Sequence, residues 1–376
     1  EKSAYLIIYF GLYKCYNKII RNEIKNDKLN KQMWECGGIF ILHEEVDYML
    51  TPKQNMLEVI KGGNPDRFVN QYEAVQLLFH PFMFANPLLQ PGQENVVNAW
   101  GVTNTFPKGV PGSFPVHTPD KIVVKDIEDW KDYVHAPSLK FTQDQWDMVK
   151  AQYDAVDGEQ AFKAAFVAPG LFEQTHHLCE ISNALVYYIT NPDEMHDLIK
   201  YLTEWELELA EGICSNLHPD ALFHHDDWGT QKSTFISVDM FREFFVDSYK
   251  RIYGYYHDHG VELIIHHNDS YSATLVPTMI EMGIDVWQGC MSVNDLPKLI
   301  KEYGKDITFM GGIDNGKVDR FDWNQEMIEE ATDQLCRDCG KLHFIPCTTH
   351  GLNFSCIPGV YEAVDQEINK MTKEMF

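Results

Sequence analysis

Arginine is scarce in this chain of 376 residues. There are six, and none lies between Arg67 and Arg242. The planar guanidinium is the side chain best matched to carboxylates and phosphates, so the gap argues against a large polyanionic ligand held by arginine clamps. Positive charge is short overall: 31 Lys+Arg face 56 Asp+Glu, for a formal net charge of −25. Nucleic-acid backbones and anionic membrane surfaces both need clustered cations, so neither is an expected partner. No G-x-G-x-x-G or P-loop follows an apolar run, which leaves dinucleotide and nucleoside-triphosphate chemistry unsupported. Long apolar runs are also missing. Residues 4–13 make one of ten residues, with Gly11 inside it, where about 18 are needed to span a bilayer. It lacks the basic segment before it and the small-residue cleavage site after it that mark a signal peptide.

What is present suits a large core: 44% of residues are hydrophobic and 23% charged, a balance that excludes disorder as the main state. The nine cysteines are odd in number and scattered from Cys15 to Cys356, the pattern of a reduced, cytoplasmic protein rather than a disulfide framework. Cys336-x-x-Cys339 reads either as a redox or metal pair or as chance spacing on a helix ending at Gly340. The lack of a second C-x-x-C favours chance.

The length allows two to three domains or one barrel with insertions. Residues 1–45 read as an N-terminal helical extension and residues 46–376 as a single domain. Thr51-Pro52-Lys53-Gln54 has the composition of a helix start. Residues 106–119 hold four prolines and two glycines and read as an ordered loop or lid. From residue 162 onward, apolar β-rich runs at 162–168, 221–225, 261–266, 285–287, 307–310 and 342–346 alternate with helical patterns at 192–215, 238–257, 273–282, 293–303, 323–339 and 360–376. That alternation predicts a parallel sheet with crossover helices. Each run ends in polar residues: Pro169-Gly170, His225-Asp226-Asp227, His267-Asn268-Asp269, Gln288-Gly289, Gly311-Gly312 and Thr349-His350. In an open α/β sheet only the strands at the switch point carry a site, whereas in a barrel every strand end faces one mouth. The expected fold is therefore a (β/α)8 TIM barrel.

His267-x-Asp269 places both side chains on one face of an extended segment. With His350 it makes two imidazoles and a carboxylate, a donor set suited to catalytic Zn2+ with an open position. The alternative is a hydrogen-bonded His and Asp cluster without metal. Sixteen histidines also produce adjacent pairs by chance, at His176-His177, His224-His225 and His266-His267. Glu173 could face the mouth or cap the following helix. Trp228, Tyr271 and Trp287 could wall a planar ligand or pack in the core. His117, on the Pro/Gly segment, could reach the mouth or stand in solvent.

These residues resemble a family. Thr51-Pro52-Lys53-Gln54-Asn55 through Asn64-Pro65-Asp66-Arg67 is similar to the opening helix of the uroporphyrinogen decarboxylase superfamily. Pro169-Gly170-Leu171-Phe172-Glu173, Asp226-Asp227-Trp228-Gly229-Thr230-Gln231, Ile236-Ser237 and Phe241-Arg242-Glu243-Phe244 resemble its methyltransferase-like branch, and Thr349-His350-Gly351 with Ile357-Pro358 its last active-site loop. The resemblance runs over about residues 46–376 and implies a (β/α)8 barrel with the site at its mouth. It implies one of two chemistries: metal-free decarboxylation of uroporphyrinogen, or zinc-dependent methyl transfer involving a corrinoid protein. The Arg-x-x-Gly-Arg type segment of the decarboxylases is absent here, although His350 sits where they carry an active-site His. The methyltransferases hold zinc by His-x-Cys and a later Cys; here His267-Asn268-Asp269 and His350 take those places. With both thiolates replaced, the site suits polarising an ether or amine leaving group better than activating a thiol.

The resemblance therefore implies a cytoplasmic, zinc-dependent methyltransferase moving a methyl group from a small methoxylated or methylated compound to a corrinoid. No D-x-H-x-x-G signature is present, so the corrinoid would arrive on a separate protein. His267, Asp269 and His350 would hold the metal. Asp226 or Asp227 would be a fourth ligand, orient a histidine or act as general acid, Glu173 would face the mouth, and Trp228, Tyr271 and Trp287 would hold substrate. A decarboxylase and a binding barrel without catalysis are the alternatives. The sequence is compatible with a homodimer.

Overall fold

The computed structural model describes residues 50–376, except residues 87, 111 and 353–355. The extension read over residues 1–45 lies outside the described residues.

Ten strands follow in chain order: β1 (Val75–Leu78), β2 (Gln93–Val97), β3 (Thr103–Phe106), β4 (Phe114–Pro115), β5 (Phe162–Val167), β6 (Ala221–His225), β7 (Leu263–His267), β8 (Val286–Cys290), β9 (Thr308–Ile313) and β10 (Phe344–Thr348). Seven form one sheet in the order β1-β5-β6-β7-β8-β9-β10. Every pairing in it is parallel. All its C-terminal ends therefore lie on one side.

Successive side chains on a strand point to opposite faces, and here the two faces make two cores. Val75, Phe162, Ala164, Ala221, Phe223, Leu263, Ile265, Val286, Met310, Ile345 and Cys347 cluster together, drawing on all seven strands. The alternate residues, among them Ala165, Leu222, Ile264, Trp287, Phe309 and Phe344, pack with the helices. Inward residues of the first and last strands can share a cluster only if the sheet curls. Where a closed barrel of eight strands is expected, the described residues form a curled sheet of seven, in which β1 and β10 share no ladder. Gln71, just before β1, has left-handed backbone (φ 51°), and residues 71–74 run in turns, so no strand forms where one would extend the pairing. Gln71 makes the link itself. Its N–H donates to Pro346 O at 3.2 Å, and its Oε1 accepts from Thr348 N–H at 3.3 Å.

The helix Pro52–Lys61 opens with Thr51 and Gln54 in a reciprocal capping box. The helical stretch from Val238 to Asp258 contains a π-helical turn at Arg242–Val246. The Pro/Gly segment is partly sheet. Strands β2, β3 and β4 pair antiparallel, and the chain leaving β4 carries His117. Cys336 and Cys339 are buried free thiols on the helix Gln325–Cys339, as chance spacing on a packed helix predicts. No helix among the described residues is long and apolar enough to cross a membrane.

Candidate metal centre

Strands β6 and β7 end in the same pattern, His225-x-Asp227 and His267-x-Asp269. The sheet register sets His225 beside His267, and His267 beside Gln288 of β8. The two imidazoles stack with centroids 4.4 Å apart. Asp227 joins them, and one donor atom from each of His225, Asp227 and His267 lies within 4.8 Å of the others. Both rings are held from behind. Glu173 Oε2 lies 2.9 Å from His225 Nδ1, and Gln288 Oε1 accepts from His267 Nδ1. An acceptor at Nδ1 assigns the proton there and leaves Nε2 as the lone-pair donor, the arrangement of a metal-ligating histidine with its outer partner.

Charge around these groups is mostly negative. Asp227 Oδ1 accepts the Asp269 N–H at 2.8 Å, and Asp269 Oδ2 lies 3.8 Å from His350 Nε2. Burial raises the Asp269 carboxyl, and Asp227 raises it further, to about 8. Burial works to lower His225, but Glu173, Asp227 and Asp269 outweigh it and raise it to about 10. Burial and the neighbouring His225 lower His267 to about 4. Glu173 is raised by burial, against the pull of His225. The principal charges acting on these four groups are carboxylates and imidazoles; no Lys or Arg is among them. Without a metal, His225 is thus an imidazolium among carboxylates, and a bound cation would displace its Nε2 proton and take over the balancing charge.

The expected residues do not all meet. His267 joins His225 and Asp227, while Asp269 pairs with His350. Asp226 is fully buried and accepts from the N–H groups of Phe172 (3.1 Å) and Glu173 (2.7 Å), from Trp228 Nε1 (2.8 Å) and from the Tyr249 hydroxyl. Burial and Glu173 raise it to about 7 against those donors. It anchors the start of the helix Leu171–Cys179 and does not face the mouth, which corrects the reading of it as ligand or general acid. Trp228 and Trp287 are core residues. Trp228 stacks on His266 at 4.1 Å, and Trp287 donates to Asn268 O at 2.9 Å. With both indoles enclosed, neither can wall a substrate. Tyr271 is half-buried in the loop after β7, its N–H donating to Thr230 O at 2.7 Å. Glu173 does not cap its helix; it turns to His225.

The residue missed from sequence is His225. Its signal was available as a second H-x-D at the same strand position as the first. Gln288 was named only as a strand end, because its role depends on register. The pair His176-His177, attributed to chance in the sequence, meets the mouth candidate Glu173: the three bring donor atoms within 4.8 Å. His117 reaches them, with Nε2 3.1 Å from His177 O. Burial, then His117, lowers His176 to about 4.

Comparison with known proteins agrees with this architecture. No curated protein matches the chain in sequence. Among solved structures, a methyltransferase from Methanosarcina mazei superposes with a TM-score of 0.61 at 12% identity, over 85% of this chain and 99% of that one. At that identity the likeness is one of fold. The sequence profile of the family described as Uroporphyrinogen decarboxylase (URO-D) matches residues 96–368. That span is well over half of the chain and includes both H-x-D segments, so the chain belongs to the uroporphyrinogen decarboxylase (URO-D) family.

Proposed function

We propose that this protein is a zinc-dependent methyltransferase taking a methyl group from a small methoxylated or methylated compound, with a corrinoid on a separate protein as acceptor. The observation that carries the reading is the trio His225, Asp227 and His267 with outer acceptors on both imidazoles. Two imidazoles and a carboxylate, with each ring fixed through Nδ1, fit Zn2+. When bound there, the metal supplies Lewis-acid polarisation of the donor's oxygen or nitrogen. The chain's own residues do the rest. Glu173 and Gln288 hold the ring orientations. Asp227 contributes a carboxylate and fixes the Asp269 backbone. Asp269 and His350, 3.8 Å apart, form a carboxyl–imidazole pair able to pass a proton to the departing atom. Free buried thiols among the described cysteines favour a reducing, cytoplasmic setting.

The metal-free decarboxylase reading needs cations to grip substrate carboxylates. Arg67 instead pairs with Asp66 and Glu73, and the principal charges at the mouth are acidic or imidazole. Elemental analysis of purified protein, alone and as His225→Ala and His267→Ala, tests the metal. Each substitution should remove one equivalent of zinc, and a wild-type protein without metal would sink the reading. Methylation of a reduced corrinoid protein, followed by absorbance over a panel of methoxylated and methylated compounds, tests the chemistry. Metal retention without turnover of any donor would favour a non-catalytic barrel.

A further inference from the structure

We propose a second divalent-metal site beside the first, formed by Glu173, His176 and His177 on the helix Leu171–Cys179. Positions i, i+3 and i+4 lie on one helix face, and here they bring a carboxylate oxygen and two imidazole nitrogens within 4.8 Å. The rings of His176 and His177 stand perpendicular with centroids 4.8 Å apart. Neither ring has a hydrogen-bond partner among the described residues; the bond at His177 goes to its backbone carbonyl, from His117. Half-buried imidazoles without protein partners are expected to find them elsewhere.

The helix carrying these groups is fixed at its start. Asp226 takes the N–H groups of Phe172 and Glu173, and the Tyr249 hydroxyl takes that of Leu171 at 3.0 Å. The three donors are therefore held on a rigid turn rather than on a loop, as a preorganised site requires. Two nitrogens and one oxygen suit Zn2+ and other first-row divalent ions, not Mg2+ or Ca2+, which prefer oxygen alone. Glu173 also accepts from His225, so it joins this site to the first. An ion here would offset the surplus of carboxylates in a mouth without a strong lysine or arginine influence.

The site stands on its own residues and does not depend on the identity of the methyl donor. The test is a metal titration of the full chain after chelator treatment, using Zn2+ by equilibrium dialysis and Co2+ by its visible absorption. Two equivalents are expected for the wild type. One is expected for the double variant His176→Gln with His177→Gln, and one for His225→Gln with His267→Gln. A wild type that binds no metal, or a full complement retained by the first variant, overturns the inference. One wild-type equivalent, lost in the first variant and kept in the second, supports this site and removes the metal from the proposed function. Should the first variant not fold by circular dichroism, diethyl pyrocarbonate labelling of wild type read by mass spectrometry decides. Zn2+ should protect His176 and His177, and equal labelling with and without Zn2+ overturns the inference.

Discussion

Asp226 and Asp227 are adjacent carboxylates with opposite surroundings. Four donors converge on Asp226. An amide in its place offers one acceptor and turns an NH2 toward groups that also donate. Asp226→Asn should lower the unfolding free energy by about 3 kcal/mol, read as a shift in denaturant midpoint. Asp227→Asn should leave the midpoint nearly unchanged and weaken zinc binding at least about tenfold. Equal effects of the two changes on stability would contradict the separation of roles. His80 is a different kind of residue. It is buried, neither ring nitrogen reaches hydrogen-bonding geometry, and burial lowers it to about 3 against a weak pull from the Phe166 backbone. The unfolded chain takes up this proton below about pH 6.5, while the folded chain resists until about 3. The stability contribution is thus present above pH 6.5 and is lost progressively as pH falls toward 3. Between pH 6.5 and 5 that amounts to about 2 kcal/mol. His80→Leu should flatten this part of the acid limb, and parallel pH profiles for both proteins would rule the assignment out. At this scale the sequence was partly legible. H-x-D on an extended segment located His267 and Asp269, because alternation is local. The split between Asp226 and Asp227 was not, because it depends on a helix packed from another part of the chain.

The helix Leu171–Cys179 depends on the turn before it. A Cβ on Gly170 would lie 2.5 Å from Asp226 Cβ and 2.7 Å from His224 Cε1. Gly170→Ala must push the helix start away from Asp226, costing about 1–3 kcal/mol as overpacking. It should also weaken metal binding, since Glu173 would leave His225. Thermal unfolding with zinc titration checks both, and lost stability with metal affinity intact would uncouple them. Strands β5 to β10 were readable because buried parallel strands are near-continuous apolar runs. β1 was missed because four residues carry too little pattern, and β2 to β4 because they lie in or near the Pro/Gly segment without clear alternation. The π-helical turn Arg242–Val246 was invisible, since Phe241, Phe244 and Phe245 fit an ordinary apolar helix face.

The whole molecule carries a net charge of −25, and its candidate site is acidic as well. A corrinoid-carrying partner would then present a basic face, and transfer should slow as salt rises through the screening range. A rate indifferent to ionic strength would remove that partner geometry. The α/β layering was legible because strand–helix alternation is global and regular. The gap between β1 and β10 among the described residues was not, since the left-handed backbone of Gln71 leaves no pattern in the sequence. That residue has a mechanical consequence. Gln71, and not a ladder, links the two edge strands, so the join between β1 and β10 is the line along which the curled sheet should open first. In hydrogen–deuterium exchange, the Thr348 amide, which donates to Gln71, should exchange before the β6–β7 amides, and Gln71→Leu should widen that interval. Simultaneous exchange around the circumference would mean that the join is as stiff as the rest.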